Sequence, residues 1–380
     1  MNATTLIELG LTGLLVALIP LSLVWRAKGF DNKYRKLVWV TLFFTFDLIM
    51  FGAFTRLTDS GLGCPDWPGC YNHSNPLLAH AHINAAQEAM PTGPVTWSKA
   101  WIEMTHRYLA MAVGVLIIAL MAMAWRRWIK SQGTESQYRP WFPTALLGFV
   151  CLQGAFGAWT VTMKLQPVIV TIHLLLGLTL LAMLVWLAAR QSPHLPVTPA
   201  ARALVWPATL GLALLTLQIA LGGWVSTNYA ALACTDFPLC NGKLVPDMDF
   251  EHGFTLWRHL GMTAGGDFLP FQALTAIHWV HRSFAFVVIL YVVWLAHKAL
   301  RDEGLRKSGR WLLIIVGLQL ATGLATIYLS WPLAIAVVHN GGAALLVILL
   351  VMLNYKTRYA PAGIAEANPQ PAVAAPLGSV

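Results

Sequence analysis

The chain has 380 residues, of which 57% are apolar and only 11% charged, with 17 Trp and a formal net charge of +9. An ordinary soluble domain carries roughly 25% charged residues, so a water-soluble globular enzyme is excluded and a multispanning membrane protein is expected. The positive charge does not mark a nucleic-acid partner either, because the basic residues are sorted by loop along the whole chain.

A hydrocarbon core of ~30 Å needs about 20 helical residues, and only helices or closed barrels satisfy their backbone groups in lipid. Nine segments qualify, in chain order 4–25, 36–56, 102–125, 141–162, 167–189, 203–226, 272–298, 311–330 and 334–354. The first lacks a basic n-region and a small-x-small cleavage site, and basic residues follow it at once, so it reads as a retained helix. Lys and Arg gather in alternate loops, at 26–36, 126–139, 190–202, 297–310 and 356–358, which hold 18 of the 25. The long loops near 57–100 and 227–271 hold only Lys99, Lys243 and Arg258. The positive-inside rule then predicts an inner (cytoplasmic) membrane protein with an external N-terminus, external long loops and a cytoplasmic C-terminus. The Pro/Ala-rich end of the chain is expected to be a disordered cytoplasmic tail.

The chain is written twice. Cys64 and Cys70 of "CPDWPGC" recur as Cys234 and Cys240 of "CTDFPLC", each offset by 170; His106-Arg107 recurs as His281-Arg282; and Gln153 to His173 repeats as Gln319 to His339. Four spans per repeat give both halves the same orientation, with a pseudo-twofold axis along the membrane normal. The expected fold is an all-α integral membrane protein: two pseudo-symmetric four-helix bundles plus one extra N-terminal helix. The predicted divisions are 1–30 (extra helix and basic turn), 31–195 (first bundle), 196–356 (second bundle) and 357–380 (tail).

In each half one His opens the second helix and another lies one to two turns inside the fourth, at similar shallow depth. Polar residues inside a membrane are usually functional, and two imidazoles on neighbouring helices can hold one haem iron from opposite faces. His106 with His173, and His281 with His339, are the candidate pairs; an interfacial His bonded to a carbonyl is the plainer alternative for any one of them. Zinc is disfavoured because neither half supplies a third or fourth ligand at that depth. Arg56, Arg107 and Arg282 lie on the same side and are candidates for haem propionates, with snorkelling to headgroups as the alternative.

Both cysteine pairs sit in loops expected to be external, where disulfides persist. A disulfide within each pair, Cys64–Cys70 and Cys234–Cys240, is the economical reading, and redox exchange with a thiol-disulfide partner the sharper one. Cys151, mid-helix, is expected to be a small buried apolar residue. The halves differ three residues before the His-Arg pair, where Glu103 stands against His278. Residues at i and i+3 share a helix face, so Glu103 is expected to look toward the pocket of His106. A carboxylate there is a candidate acid/base or cation-stabilising group, or else an interfacial partner of Arg107 or Lys99.

The motifs "TRLTDSGLGC", "EMTHR", "TIH", "CTDFPLC", "HWVHR" and "VVHNGG", in this order over about residues 36–355, resemble the heme A synthase family, membrane enzymes that oxidise heme O to heme A for cytochrome oxidase. The resemblance implies an oxidoreductase with a resident heme b on His281 and His339. It also implies a substrate haem site lined by His106 and His173, and an essential Glu103. Implied partners are heme O, membrane lipid, heme O synthase, an electron donor and a second copy of the chain. The rival reading is a di-haem, cytochrome b-like membrane electron carrier, in which Glu103 would be incidental.

Overall fold

The computed structural model describes residues 3–361. Nine helices among them are long and apolar enough to cross a membrane: α1 (Ala3–Trp25), α2 (Phe30–Leu57), α3 (Trp97–Lys130), α4 (Trp141–Thr162), α5 (Pro167–Arg190), α6 (Val205–Thr227), α7 (Phe271–Leu300), α8 (Glu303–Tyr328) and α9 (Leu333–Tyr359). The chain is an all-α integral membrane protein, without a strand among the described residues.

Most ends lie within a few residues of the hydropathy expectation, and the exceptions have local causes. Helix α8 starts eight residues before the expected 311 because Asp302 caps it: its Oδ1 accepts the Leu305 N–H at 3.1 Å. The other oxygen accepts the Thr198 backbone N–H and hydroxyl, both at 2.9 Å, tying the 190–202 loop to the helix start. Helix α9 runs past the expected boundary at 356. There the Arg358 guanidinium donates to Asn354 Oδ1 (2.7 Å) and Thr209 Oγ1 (2.6 Å), while Arg202 donates to the Ala360 carbonyl. The remainder of the expected tail, 362–380, lies outside the described residues.

Helices α2, α3, α4 and α5 pack in a ring, each touching the next and α5 returning to α2; α6, α7, α8 and α9 close a second ring in the same order. The rings meet where α2 and α5 face α6 and α9, and α1 lies outside, against α3 and α2. Small residues let the helices approach, as lipid-embedded interfaces require. A Cβ on Gly13 of α1 would overlap Met111 of α3, and one on Gly341 of α9 would overlap Met50 of α2. Between the rings, Arg56 donates to the Ser226 carbonyl at 2.5 Å and lies 4.1 Å over the Tyr229 ring, whose hydroxyl donates to Asp59 at 2.7 Å.

The backbone carries the duplication more plainly than the side chains do. The turns from α4 to α5 and from α8 to α9 both place two consecutive non-glycine residues in the left-handed region, Lys164 and Leu165 (φ 52° and 58°) and Ser330 and Trp331 (φ 53° and 65°). Non-glycine residues rarely adopt that conformation, so its recurrence at matching places marks one turn used twice. Cys151, expected to be buried, is exposed on the outer face of α4. Its position in a uniformly apolar helix gave no phase to say which face it would take.

Candidate functional site

The site is built from the long-loop end of each ring inward. Cys64 and Cys70 form one disulfide and Cys234 and Cys240 the other. Inside the first loop, the Asp66 carboxylate accepts the backbone N–H groups of Tyr71 and Asn72; inside the second, Asp236 accepts those of Asn241 and Gly242. Each loop is therefore a compact, self-bonded unit.

The arginine after each histidine clamps its loop to the helix. Arg107 donates to the carbonyls of Asp66 (3.1 Å), Pro68 (3.0 Å) and Gly69. Arg282 donates to those of Asp236 (2.9 Å) and Leu239 (3.0 Å). Arg107 also forms an ion pair with Glu103, in which the two side chains are only 11% and 6% exposed. Arg56 is engaged between the rings, as described above. Of the three arginines, only Arg282 keeps a buried nitrogen, Nη1, without a partner.

Glu103 is buried, and its second oxygen accepts the Cys64 N–H at 2.7 Å. His278 occupies the equivalent place and is equally buried; its Nδ1 lies 3.2 Å from the Cys234 N. The position that distinguishes the halves thus does the same structural task in both, holding the first cysteine of the loop. One half does it with a carboxylate and an arginine partner, the other with an imidazole.

Below these loops lie the four histidines. His106 on α3 and His173 on α5 are close enough to interact electrostatically, and so are His281 on α7 and His339 on α9. Each ring faces a glycine on a neighbouring helix. A Cβ on Gly52 of α2 would come 3.0 Å from His106 Nε2; on Gly157 of α4, 3.2 Å from His173 Cε1; on Gly222 of α6, 2.9 Å from His281 Cε1; and on Gly323 of α8, 3.4 Å from His339 Cε1. These glycines were not singled out from sequence. Their signal was present in the repeat: Gly52 and Gly222 share the 170 offset of the cysteines, and Gly157 and Gly323 the offset of His173 and His339.

Gln153 and Gln319 donate to the backbone carbonyls of His173 (3.0 Å) and His339 (2.8 Å), pinning α4 to α5 and α8 to α9 beside the ligand candidates. The second pair also has side-chain partners. Gln218 Nε2 lies 3.1 Å from His281 Nδ1, and Thr322 Oγ1 lies 2.9 Å from His339 Nδ1. No group of three or more His, Cys, Asp or Glu gathers as a bare-ion site among the described residues. Two-imidazole pairs at glycine-lined helix contacts suit a haem, whose macrocycle supplies the other four iron ligands.

The profile of the COX15-CtaA family, described as cytochrome oxidase assembly protein, matches residues 35–351. The chain belongs to the COX15-CtaA family. It is 37% identical over 318 residues to a protein of Shewanella oneidensis named Heme A synthase, covering 83% of this chain and 94% of that one. A Heme A synthase of Caulobacter vibrioides is 30% identical over 338 residues, covering 82% and 92%. One of Rhodopseudomonas palustris (strain HaA2) is 28% identical over 337 residues, covering 83% and 87%. The COX15-CtaA match begins after α1, and the doubled eight-helix frame accounts for all but the last few residues of the described chain beyond it.

Proposed function

We propose that this chain is a heme A synthase, an oxidoreductase that converts one ring methyl of heme O to a formyl group. The reaction takes the methyl through an alcohol. Overall the carbon gains the oxygen of one water and releases four protons, and its four electrons pass to an external electron acceptor. The observation that carries the reading is the doubled frame with one asymmetric position: each ring has an imidazole pair, and only the first has a carboxylate, Glu103, one turn from it. Relatives that match along most of their length bear the same name.

In this reading His281 and His339 would hold a resident heme b, which would supply one-electron transfer when bound. The residues fit such a group: both imidazoles face glycines, and Arg282 Nη1 is a buried donor free for a propionate. His106 and His173 orient heme O in the first ring, where Gly52 and Gly157 leave the rings uncrowded. Arg107 and Arg56 are the remaining propionate candidates. Glu103 shares a helix face with His106, and each of its oxygens accepts one hydrogen bond and keeps a second lone pair. It can take a proton from the water that adds to the oxidised carbon. Arg107 keeps Glu103 in place and, by clamping 66–69, ties the disulfide loop to the same turn. The protein lies in the cytoplasmic membrane with its long loops and N-terminus external. Its partners are heme O synthase, an electron-transfer protein and a second copy of itself.

The test is to express the chain with a heme O synthase and extract the haems. Heme A is expected. Heme O alone, with the intact protein in the membrane, would refute the reading, and two low-spin haems without heme A would favour an electron carrier. Loss of heme b from a His281→Ala/His339→Ala double variant is expected, and full retention would contradict the ligand assignment.

A further inference from the structure

The two histidine pairs are not held alike. Matching the repeats sets Thr322 against Phe156, at the offset of His339 and His173, and Gln218 against Leu48, at the offset of the cysteines. In the second ring both imidazoles therefore have a polar neighbour at Nδ1. In the first, His173 Nδ1 is buried without a partner, and the His106 ring takes part in no hydrogen bond among the described residues.

Thr322 fixes a direction as well as a contact. Its hydroxyl has one hydrogen, and the carbonyl of Leu318 at 2.8 Å, with that of Gln319 at 3.2 Å, takes it. With its hydrogen on the Leu318 carbonyl the oxygen offers a lone pair to His339 Nδ1, 2.9 Å away, and favours the tautomer in which that nitrogen carries the ring proton. Nε2 is left with its lone pair free. Phe156 can do none of this for His173. Gln218 beside His281 does not fix that ring in the same way: its Nε2 is shared between His281 Nδ1 and the His281 carbonyl (3.2 Å), and its oxygen is buried without a partner.

We propose that Thr322 is a positioning residue that holds His339 in the iron-binding tautomer, and that its replacement by Phe156 in the first ring is what makes one haem resident and the other exchangeable. This rests on the reading that His281 and His339 hold heme b. A ligand histidine that donates its second N–H to an acceptor is oriented and made more basic, and loss of that acceptor costs about 10–100-fold in affinity. A substrate site needs the opposite property, because heme O must enter and heme A must leave.

The experiment uses the full chain made without heme O synthase, so that heme b is the haem offered. Wild type, Thr322→Val, Thr322→Ser, Phe156→Thr and His339→Ala are compared by haem loss to apomyoglobin and by the midpoint potential of the low-spin haem. Thr322→Val, which keeps the shape and removes the lone pair, is expected to weaken haem retention at least tenfold. If that loss falls on the ferric form, the potential rises by about 59 mV for one electron. Thr322→Ser restores both values, which a purely structural role in packing would not require. Phe156→Thr is expected to slow loss of haem from the first ring, independently of how Thr322→Val folds. Thr322→Val matching wild type in both readouts, with His339→Ala free of low-spin haem, overturns the inference alone. Unchanged release in Phe156→Thr does the same. Full low-spin haem in His339→Ala overturns the ligand assignment and the inference with it.

Discussion

Replacing Glu103 separates the structural task its contacts show from the catalytic task proposed for it. Its carboxylate is paired with Arg107 and accepts the Cys64 N–H, with both charged side chains almost out of solvent. Removing one member of a buried pair typically costs 3–5 kcal/mol, because the other charge stays buried. Arg107 would retain the carbonyls of Asp66, Pro68 and Gly69, so Glu103→Ala is expected near the lower end, about 3 kcal/mol, including the orphaned Cys64 amide. At 1.4 kcal/mol per tenfold, that opens the loop roughly a hundredfold more often. Glu103→Gln keeps an acceptor for the amide and loses only the charge, so about 1–2 kcal/mol is expected. Hydrogen exchange of the 64–70 segment reads the first effect, and haem extraction after co-expression with heme O synthase reads the second. The expected pattern is an opened loop in Glu103→Ala, a nearly closed loop in Glu103→Gln, and no heme A from either. Normal turnover in Glu103→Gln would remove the carboxylate from the chemistry, and unchanged exchange in Glu103→Ala would show that the ion pair does not hold the loop.

Three further outcomes are expected. Gly222→Ala places a methyl 2.9 Å from His281 Cε1 and should tilt that ring, seen as a reduced low-spin haem signal per chain; an unchanged spectrum would mean the ring has room to move. Asp249 caps the short helix Phe250–Phe254, and the His252 backbone N–H it accepts holds its carboxyl below the usual range. Its contribution is present above the ordinary carboxylate value and lost as pH falls through the lowered one, so exchange of the His252 amide should rise only on strong acidification; a rise already near neutrality would contradict this. With the exposed Cys151 replaced by Ala, a single cysteine at Leu244 should react with an impermeant thiol reagent in intact cells and one at Lys307 should not; the reverse would invert the topology.

Much of the fold could be read from the chain because its determinants are local. A membrane helix needs only a run of apolar residues, and the basic loops and the repeat are patterns along one strand of text. The histidine pairs were legible for the same reason, since repeat symmetry supplied the register that a single imidazole lacks. Glu103 was found as the odd residue in an aligned pair. That its carboxylate holds the Cys64 amide was not foreseeable, because the contact joins residues separated by a folded loop.

By itself, then, the sequence determined the number of spans, their doubling, the cysteine pairs and the four histidines, all of which follow from hydropathy, spacing and repetition. Tertiary structure alone decided which face each residue takes. It turned Arg107 and Arg282 into clamps on the disulfide loops, set a glycine against the imidazoles of His106, His173, His281 and His339, and gave Thr322 to His339 while leaving His173 Nδ1 without a partner. The physical reason is that in helices apolar on every side, hydropathy carries no phase, and the direction of a side chain is fixed only when a neighbouring helix packs against it.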